Sequence, residues 1–267
     1  MNVSLAIESV ENAEALAQTA HVAARAGFQG LELPVGASGL LSLDTPPAEC
    51  HEICRRVVDA GLGISALSLR RSAEDPHLAS SDAADRRRAQ ERVIAALDRA
   101  GWLNTSLLVF APVVLGAPEA RYEEAYGRAV EGLLALRFEA QQRGVHIACA
   151  IRDTRFLLSP TEARTFIDRV NSPFVGLSLD IGSLLAFGYP EDWIASLGHR
   201  AFHVYLTDHC RGKLANPAGI GEGDGDWPTV VGALRAARYT GPLTVPPSND
   251  PLESFGKAIR ILGEPAK

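Results

Sequence analysis

The stretch PFVGLSLDIGSLLAFGYPEDWIASLGHRAFHVYLTDHCRGKLANPAGIGEGDGDW, residues 173–227, decides the reading of the fold. Within it Leu177, Leu179 and Ile181 alternate with Gly176, Ser178 and Asp180. That is the two-residue period of a strand with one apolar face and one small or polar face. A second strand follows, with Phe202, Val204 and Leu206 on one face and His203, Tyr205 and Thr207 on the other, and Asp208, His209 and Arg211 stand just beyond its end. A short helix over Glu191–Leu197 separates the two strands. Polar groups from both strands therefore gather at strand C-termini.

The same alternation runs outward to both ends of the chain. Strands are expected at Val3–Ile7, Gly30–Leu33, Ile64–Leu69, Thr105–Pro112, Val145–Arg152 and Leu243–Pro246. Helices are expected at Asn12–Ala26, Pro47–Ala60, Asp82–Ala100, Glu119–Arg143, Ser159–Val170, Pro228–Arg238 and Pro251–Leu262. Gly27, Gly61, Gly101 and Gly144 stand where four of these helices stop, and Ser159-Pro160 supplies an N-cap and a first-turn proline. Eight strands alternating with helices imply parallel pairing through right-handed crossovers. Closure into one (β/α)8 TIM barrel over residues 1–267 is the economical solution. The alternative, an open doubly wound sheet, lacks its best local signal, because Glu8-Ser9 rather than a GxGxxG turn follows the first strand.

Composition narrows the classes of partner. A chain of 267 residues with 46% hydrophobic and 22% charged residues buries a large core. Its net charge of −6 argues against a general nucleic-acid or anionic-membrane surface, though not against a local basic patch. Met1-Asn2-Val3 opens no secretory leader, and the longest apolar run, 107–118, is too short to span a bilayer, so a cytoplasmic protein is expected. The four cysteines have neither disulfide-framework nor CxxC spacing. Cys50 and Cys54, one helical turn apart, read as buried small side chains, Cys149 as packed under a helix, and Cys210 as the one with reactive potential.

In a barrel the inward rows carry the chemistry. The fifth strand offers Ala148, Ala150 and Arg152; the sixth Gly176, Ser178 and Asp180; the seventh His203, Tyr205 and Thr207; the eighth Thr244, Pro246 and Ser248. Asp180, Arg152, His203, Tyr205 and Asp208 are thus expected to meet at the mouth, joined from earlier strands by Glu8 and Glu32. Glu32 reads equally well as a group closing the barrel or a site residue, and His203 as a satisfied core histidine or an acid–base group. The loop at residues 219–226, GIGEGDGD, reads as a flexible lid or a tight turn; its acidic residues disfavour an anion there.

Five segments taken together resemble the sugar phosphate isomerase/epimerase family of xylose-isomerase-like barrels: AGFQGLEL (26–33), RFLLSP (155–160), LDIG followed by AFGYPEDW (179–193), HVYLTD (203–208), and GEGDGDW with YTGPLT (221–244). The resemblance implies a barrel whose mouth holds a divalent metal through two glutamates, an aspartate and a histidine, with the glutamates also moving protons beside a substrate carbonyl. Carried over residue by residue, those ligands fall on Ala150, Asp180, Tyr205 and Pro246. One carboxylate remains, too few for an oxygen-rich Mg²⁺ or Mn²⁺ site, so no metal and no other cofactor is expected. The family's lysine in this region is Thr207, whereas Arg211 matches a substrate-contacting arginine of ketose epimerases.

Two functions fit this altered site, both with a small sugar or polyol as partner. One is a metal-independent isomerase, epimerase or lyase in which His203, Asp208 or His209 takes a proton and Arg152 or Arg211 holds developing negative charge. The catalytic candidates are His203, Asp208 and Arg152; Asp180, Arg211, His209, Glu32 and Tyr205 are the substrate-binding candidates. The other function is carbohydrate binding or regulation on the same scaffold. Arg152 reads equally well as an ion-pair partner of Asp180 in the vacated metal position, since a buried carboxylate without a metal needs a partner, or as a side chain pointing into solvent with Asp153.

Overall fold

The computed structural model describes residues 2–9, 11–72, 75–113, 121–151, 156–211 and 217–263. Barrel strands β1 (Val3–Ala6), β2 (Gly30–Val35), β3 (Gly63–Leu69), β4 (Leu107–Phe110), β5 (His146–Ile151), β6 (Val175–Asp180) and β7 (Ala201–Tyr205) run in sequence order. A two-stranded ribbon, β8 (Asp208–His209) with β9 (Pro217–Ala218), precedes the last barrel strand, β10 (Leu243–Val245). All barrel pairs are parallel, and β1 pairs with both β2 and β10, so the sheet closes on itself. No sheet edge remains to be capped.

The enclosing helices are α1 (Ala13–Ala26), α2 (Pro47–Asp59), α3 (Ala83–Trp102), α4 (Tyr122–Arg143), α5 (Pro160–Val170), α6 (Ile181–Phe187), α7 (Pro190–Leu197), α8 (Trp227–Ala236) and α9 (Pro251–Leu262). Local chemistry sets their ends. Asn12 accepts from the backbone N–H groups of Glu14 and Ala15, Ser159 from Glu162 with Pro160 in the first turn, and Asp226 and Asp250 cap α8 and α9. Gly27 closes α1 at φ 108° and Gly144 closes α4 at φ 64°, the left-handed conformation that glycine adopts without a Cβ clash. Gly101, expected to stop α3, lies inside its last turn; the chain turns instead at Asn104, with φ 55°. None of the helices described is long and apolar enough to cross a membrane.

The alternation divides the core in two. Outward residues such as Ile147, Cys149, Leu177, Leu179, Val204 and Leu243 join the helices in one large apolar cluster. Inside, Ala6, Ala66, Leu107, Val109, Ala148 and Tyr205 form a separate small cluster. Phe202 departs from the expected rows: it packs against the inner cluster, not the helices. The cause is an irregularity between β6 and β7, where Leu177 pairs with Ala201 but Ser178 pairs with His203, so Phe202 is the extra residue of a bulge. Its ring closes over Gly176, where a Cβ would sit 2.7 Å from it. Two further expectations change. Asp180 caps an additional helix, α6, between the sixth and seventh strands, and Ser248 leaves the eighth strand's row to bond Asp250 O in the turn before α9.

Candidate functional site

The inward faces of β2, β6, β7 and β10 bring four polar side chains around His203. Its Nδ1 is 2.8 Å from Ser178 Oγ, and its Nε2 is 2.7 Å from Thr244 Oγ1 and 3.0 Å from Glu32 Oε2. The Tyr205 hydroxyl donates to Glu32 Oε1, and the imidazole and phenol rings meet edge to face at 4.5 Å. Glu32 reaches this cluster from β2 because the intervening strands β1 and β10 present small inward side chains, Ser4, Ala6 and Thr244. With Glu32 ionised it only accepts, so Nε2 carries a proton towards it. Glu32 is 1% exposed, Tyr205 2% and His203 0%. The cluster is a sealed, hydrogen-bonded relay inside the barrel.

Asp180 ends β6 one layer higher, paired in register with Tyr205. Its Oδ1 accepts from the Thr207 hydroxyl at 2.6 Å and from the Ser183 backbone N–H at 2.9 Å, and Thr207 Oγ1 in turn accepts from the Gly182 N–H at 2.8 Å. The position that follows the conserved-looking strand pattern thus serves as a helix cap joined to the neighbouring strand. Arg152, the candidate partner of Asp180, lies outside the described residues.

Asp208, anticipated as a proton acceptor, is held by four N–H donors. Its Oδ1 accepts from the backbone N–H groups of His209 (2.8 Å) and Gly225 (3.2 Å), and its Oδ2 from Gly221 N–H (3.1 Å) and Trp227 Nε1–H (2.9 Å). A loop wraps around this one carboxylate. A Cβ at Gly223 would lie 2.3 Å from Asp208 Oδ1, which is why the loop is glycine-rich: the backbone itself must approach the carboxylate. The segment read as a lid or a turn is a tight turn. His209 is buried beside it, and Arg211 is exposed, its guanidinium 4.8 Å over the Tyr189 ring with Nη2 donating to Gly188 O at 3.1 Å. Glu8 is exposed beyond β1.

The structure therefore brings together Glu32, His203 and Tyr205, sets Asp180 beside them, and keeps Asp208 with a separate set of partners under the loop. Residue patterns alone did not reveal Trp227 as an Asp208 partner, nor Arg70, which follows Ala66 and Ser68 on the inward row of β3 and donates from Nη2 to Ile7 O at 3.2 Å. Continuing that row one step past the strand end would have found it. Two thiols are structural: burial pushes Cys50 up to about 11 and Cys149 higher still.

The positions at which the resemblance would place metal ligands carry Ala150, Asp180, Tyr205 and Pro246. Asp180 Oδ1 already accepts two hydrogen bonds, and the Tyr205 hydroxyl is turned to Glu32. Among the described residues no three His, Cys, Asp or Glu side chains converge as a cation would require.

A family model described as xylose isomerase-like TIM barrel matches residues 20–264, and the chain belongs to that family. Similar solved structures include a D-psicose 3-epimerase determined in the presence of D-fructose, with TM-score 0.82 and 18% identity over 98% of this chain and 100% of the other. A D-allulose 3-epimerase from Methylomonas sp. in complex with D-allulose gives 0.80 and 20% over 98% and 96%. The 3-keto-D-glucoside 4-epimerase of E. coli gives 0.76 and 13% over 98% and 98%. None of the curated proteins matches the sequence. At these identities the structural likeness establishes the fold, and the fold is that of sugar epimerases and isomerases.

Proposed function

We propose that this chain binds a small keto-sugar or polyol at the barrel mouth without a divalent metal, and that the metal-dependent isomerisation of its relatives is not its activity. The observation that carries the reading is the donor set at the ligand positions: Ala150 and Pro246 offer no ligand and no base, while Asp180 and Tyr205 are engaged with Thr207, Ser183 and Glu32. The neighbours in fold are described with D-fructose and D-allulose, which supports a sugar-sized ligand. Arg211, held over Tyr189 at the exposed mouth, is the substrate-contacting candidate.

Binding is favoured over catalysis by the state of the acid–base candidates. His203 is fully enclosed by Ser178, Thr244 and Glu32, and both oxygens of Asp208 are occupied by N–H donors, so these two groups do not share a cavity. One observation favours a second reading, metal-independent proton transfer: the Tyr205 hydroxyl, at a position the resemblance gives to a metal ligand, is bonded to a buried carboxylate and is arranged to relay a proton to it.

Calorimetric titration with a panel of keto-sugars and polyols, before and after exhaustive chelation, tests the binding reading. Saturable binding unchanged by chelation supports it; binding that disappears with the chelator and returns with Mn²⁺ overturns it. Incubation of each ligand in D₂O with detection of carbon-bound deuterium separates the second reading. Exchange that is lost in Tyr205→Phe assigns proton transfer to the relay.

A further inference from the structure

Outside the barrel interior, the C-terminal ends of β3 and β4 and the first turns of α3 enclose a cavity of about 50 Å³, and its polar lining is basic: the guanidinium groups of Arg70, Arg71 and Arg92 and the imidazole of His77, over an apolar floor that includes Leu69 and Phe110. We propose that this cavity is a binding site for a tetrahedral oxyanion, a phosphoryl group or its like. Nothing in the sugar reading requires it, and the chain's overall charge of −6 makes a cluster of this sign a local feature.

Several independent features converge on that ligand. The donors exceed their acceptors: Arg92 pairs with Asp75 at 3.0 Å, Arg71 Nη1 donates to Asp75 O at 3.1 Å, and Arg70 Nη2 reaches Ile7 O. Among the described residues Arg70 and Arg71 make no ion pair, and the buried atoms Arg70 Nε and His77 Nδ1 have no hydrogen-bond partner. The Arg70 Nε–H, a buried donor left in that condition, favours a ligand that accepts from it, and His77 Nδ1 in its protonated tautomer adds a second donor. Guanidinium forks match oxyanions in geometry as well as charge. The size agrees too. A water-sized atom needs about 10–15 Å³ of such space, so the cavity accommodates the four oxygens of one tetrahedral ion. Burial, and then the charge of Arg71, holds His77 below its usual range, and burial does the same to Arg71, against the opposing pull of Asp75. An anion would relieve the very penalty that these surroundings impose on positive charge. The location, at the mouth side of the third and fourth strands, is within the same ring of loops that in barrels carries ligands.

The test uses the full chain and inorganic phosphate at constant ionic strength set with NaCl. Expected are a single saturable isotherm by calorimetry, a melting temperature that climbs with phosphate beyond the NaCl control, and chemical-shift changes at His77 and at the Arg70 and Arg71 side chains in ¹⁵N spectra. Arg71→Gln with His77→Gln should weaken binding at least tenfold. The proposal is overturned by the absence of saturable binding, by unchanged affinity in the double variant, or by shift changes that map elsewhere. If the double variant does not fold, the shift map on the unaltered protein decides alone. A phosphate ester of a keto-sugar then separates the source of the oxyanion: tighter binding than both inorganic phosphate and the unphosphorylated sugar assigns the site to an esterified ligand, and affinity equal to inorganic phosphate assigns it to the free ion. Because inorganic phosphate carries no sugar, failure here leaves the sugar-binding reading standing, and failure of that reading leaves this site testable.

Discussion

The β7 side of the barrel and the β3–β4 side solve opposite problems. Around Asp208 and Glu32 the buried carboxylates sit among donors: four N–H groups converge on Asp208, and the Tyr205 phenol donates to Glu32 with His203 Nε2 3.0 Å from its other oxygen. Around Arg70, Arg71 and Arg92 the donors are in surplus, and among the described residues it is Arg92 that pairs with Asp75. The first arrangement is what a folding element needs, because an unsatisfied buried charge is costly. The second is what a ligand site tolerates, because the ligand completes it. Polar character at a barrel mouth therefore does not by itself mark chemistry; the balance of donors and acceptors distinguishes a clamp from a site.

Five substitutions and one labelling experiment can break or sharpen this contrast. The largest effect is expected at Asp208→Ala, which strands four donors and releases the loop. A loss of about 4 kcal/mol in unfolding free energy is expected, read from urea denaturation; a loss under about 1 kcal/mol would show the loop holds without its carboxylate. Glu32→Ala should cost about 3 kcal/mol, since it combines a cavity with unmatched Tyr205 and His203 donors, and Tyr205→Phe in that background should add less than it does alone, because the two residues share one interaction. Gly223→Ala should cost about 2 kcal/mol, because a Cβ placed against Asp208 must push the turn or the carboxylate aside. Arg71→Gln, on the side with surplus cations, should lie within about 0.5 kcal/mol of the parent in phosphate-free buffer, on either side of zero; a loss as large as that at Glu32 would mean the cluster is structural and the contrast false. The smallest effect concerns the thiols. With its thiol held at about 11, Cys50 at pH 8 is about one part in a thousand thiolate, so iodoacetamide should leave it and Cys149 unlabelled in the folded protein, as mass spectrometry of the digest would show.

Much of the fold was readable from local pattern. Period-two alternation gave the strands and their inward rows, and caps such as Asn12, Ser159-Pro160 and Gly27 gave helix ends within a residue or two. These signals are short-range: a cap acts over three residues, and a strand's two faces are set by backbone geometry alone. The resemblance in the motifs from residue 26 to 244 named the family that the comparison then placed over residues 20–264.

What the sequence by itself determined about this protein is thus its alternating architecture, its family and most of the inward rows, Phe202 and Ser248 excepted. Tertiary closure decided the partners. Glu32 and Tyr205 lie 173 residues apart and meet only because β1 and β10 pair. Asp208 reads as a free carboxylate until the 219–226 loop folds back onto it, and Phe202 reads as an outward residue until the β6–β7 register slips by one. Arg70 reads as one more surface arginine until β4 and α3 close over its neighbours. Each of these outcomes depends on which groups find complementary donors or acceptors across the barrel, and that balance is a property of the closed structure, not of any stretch of chain.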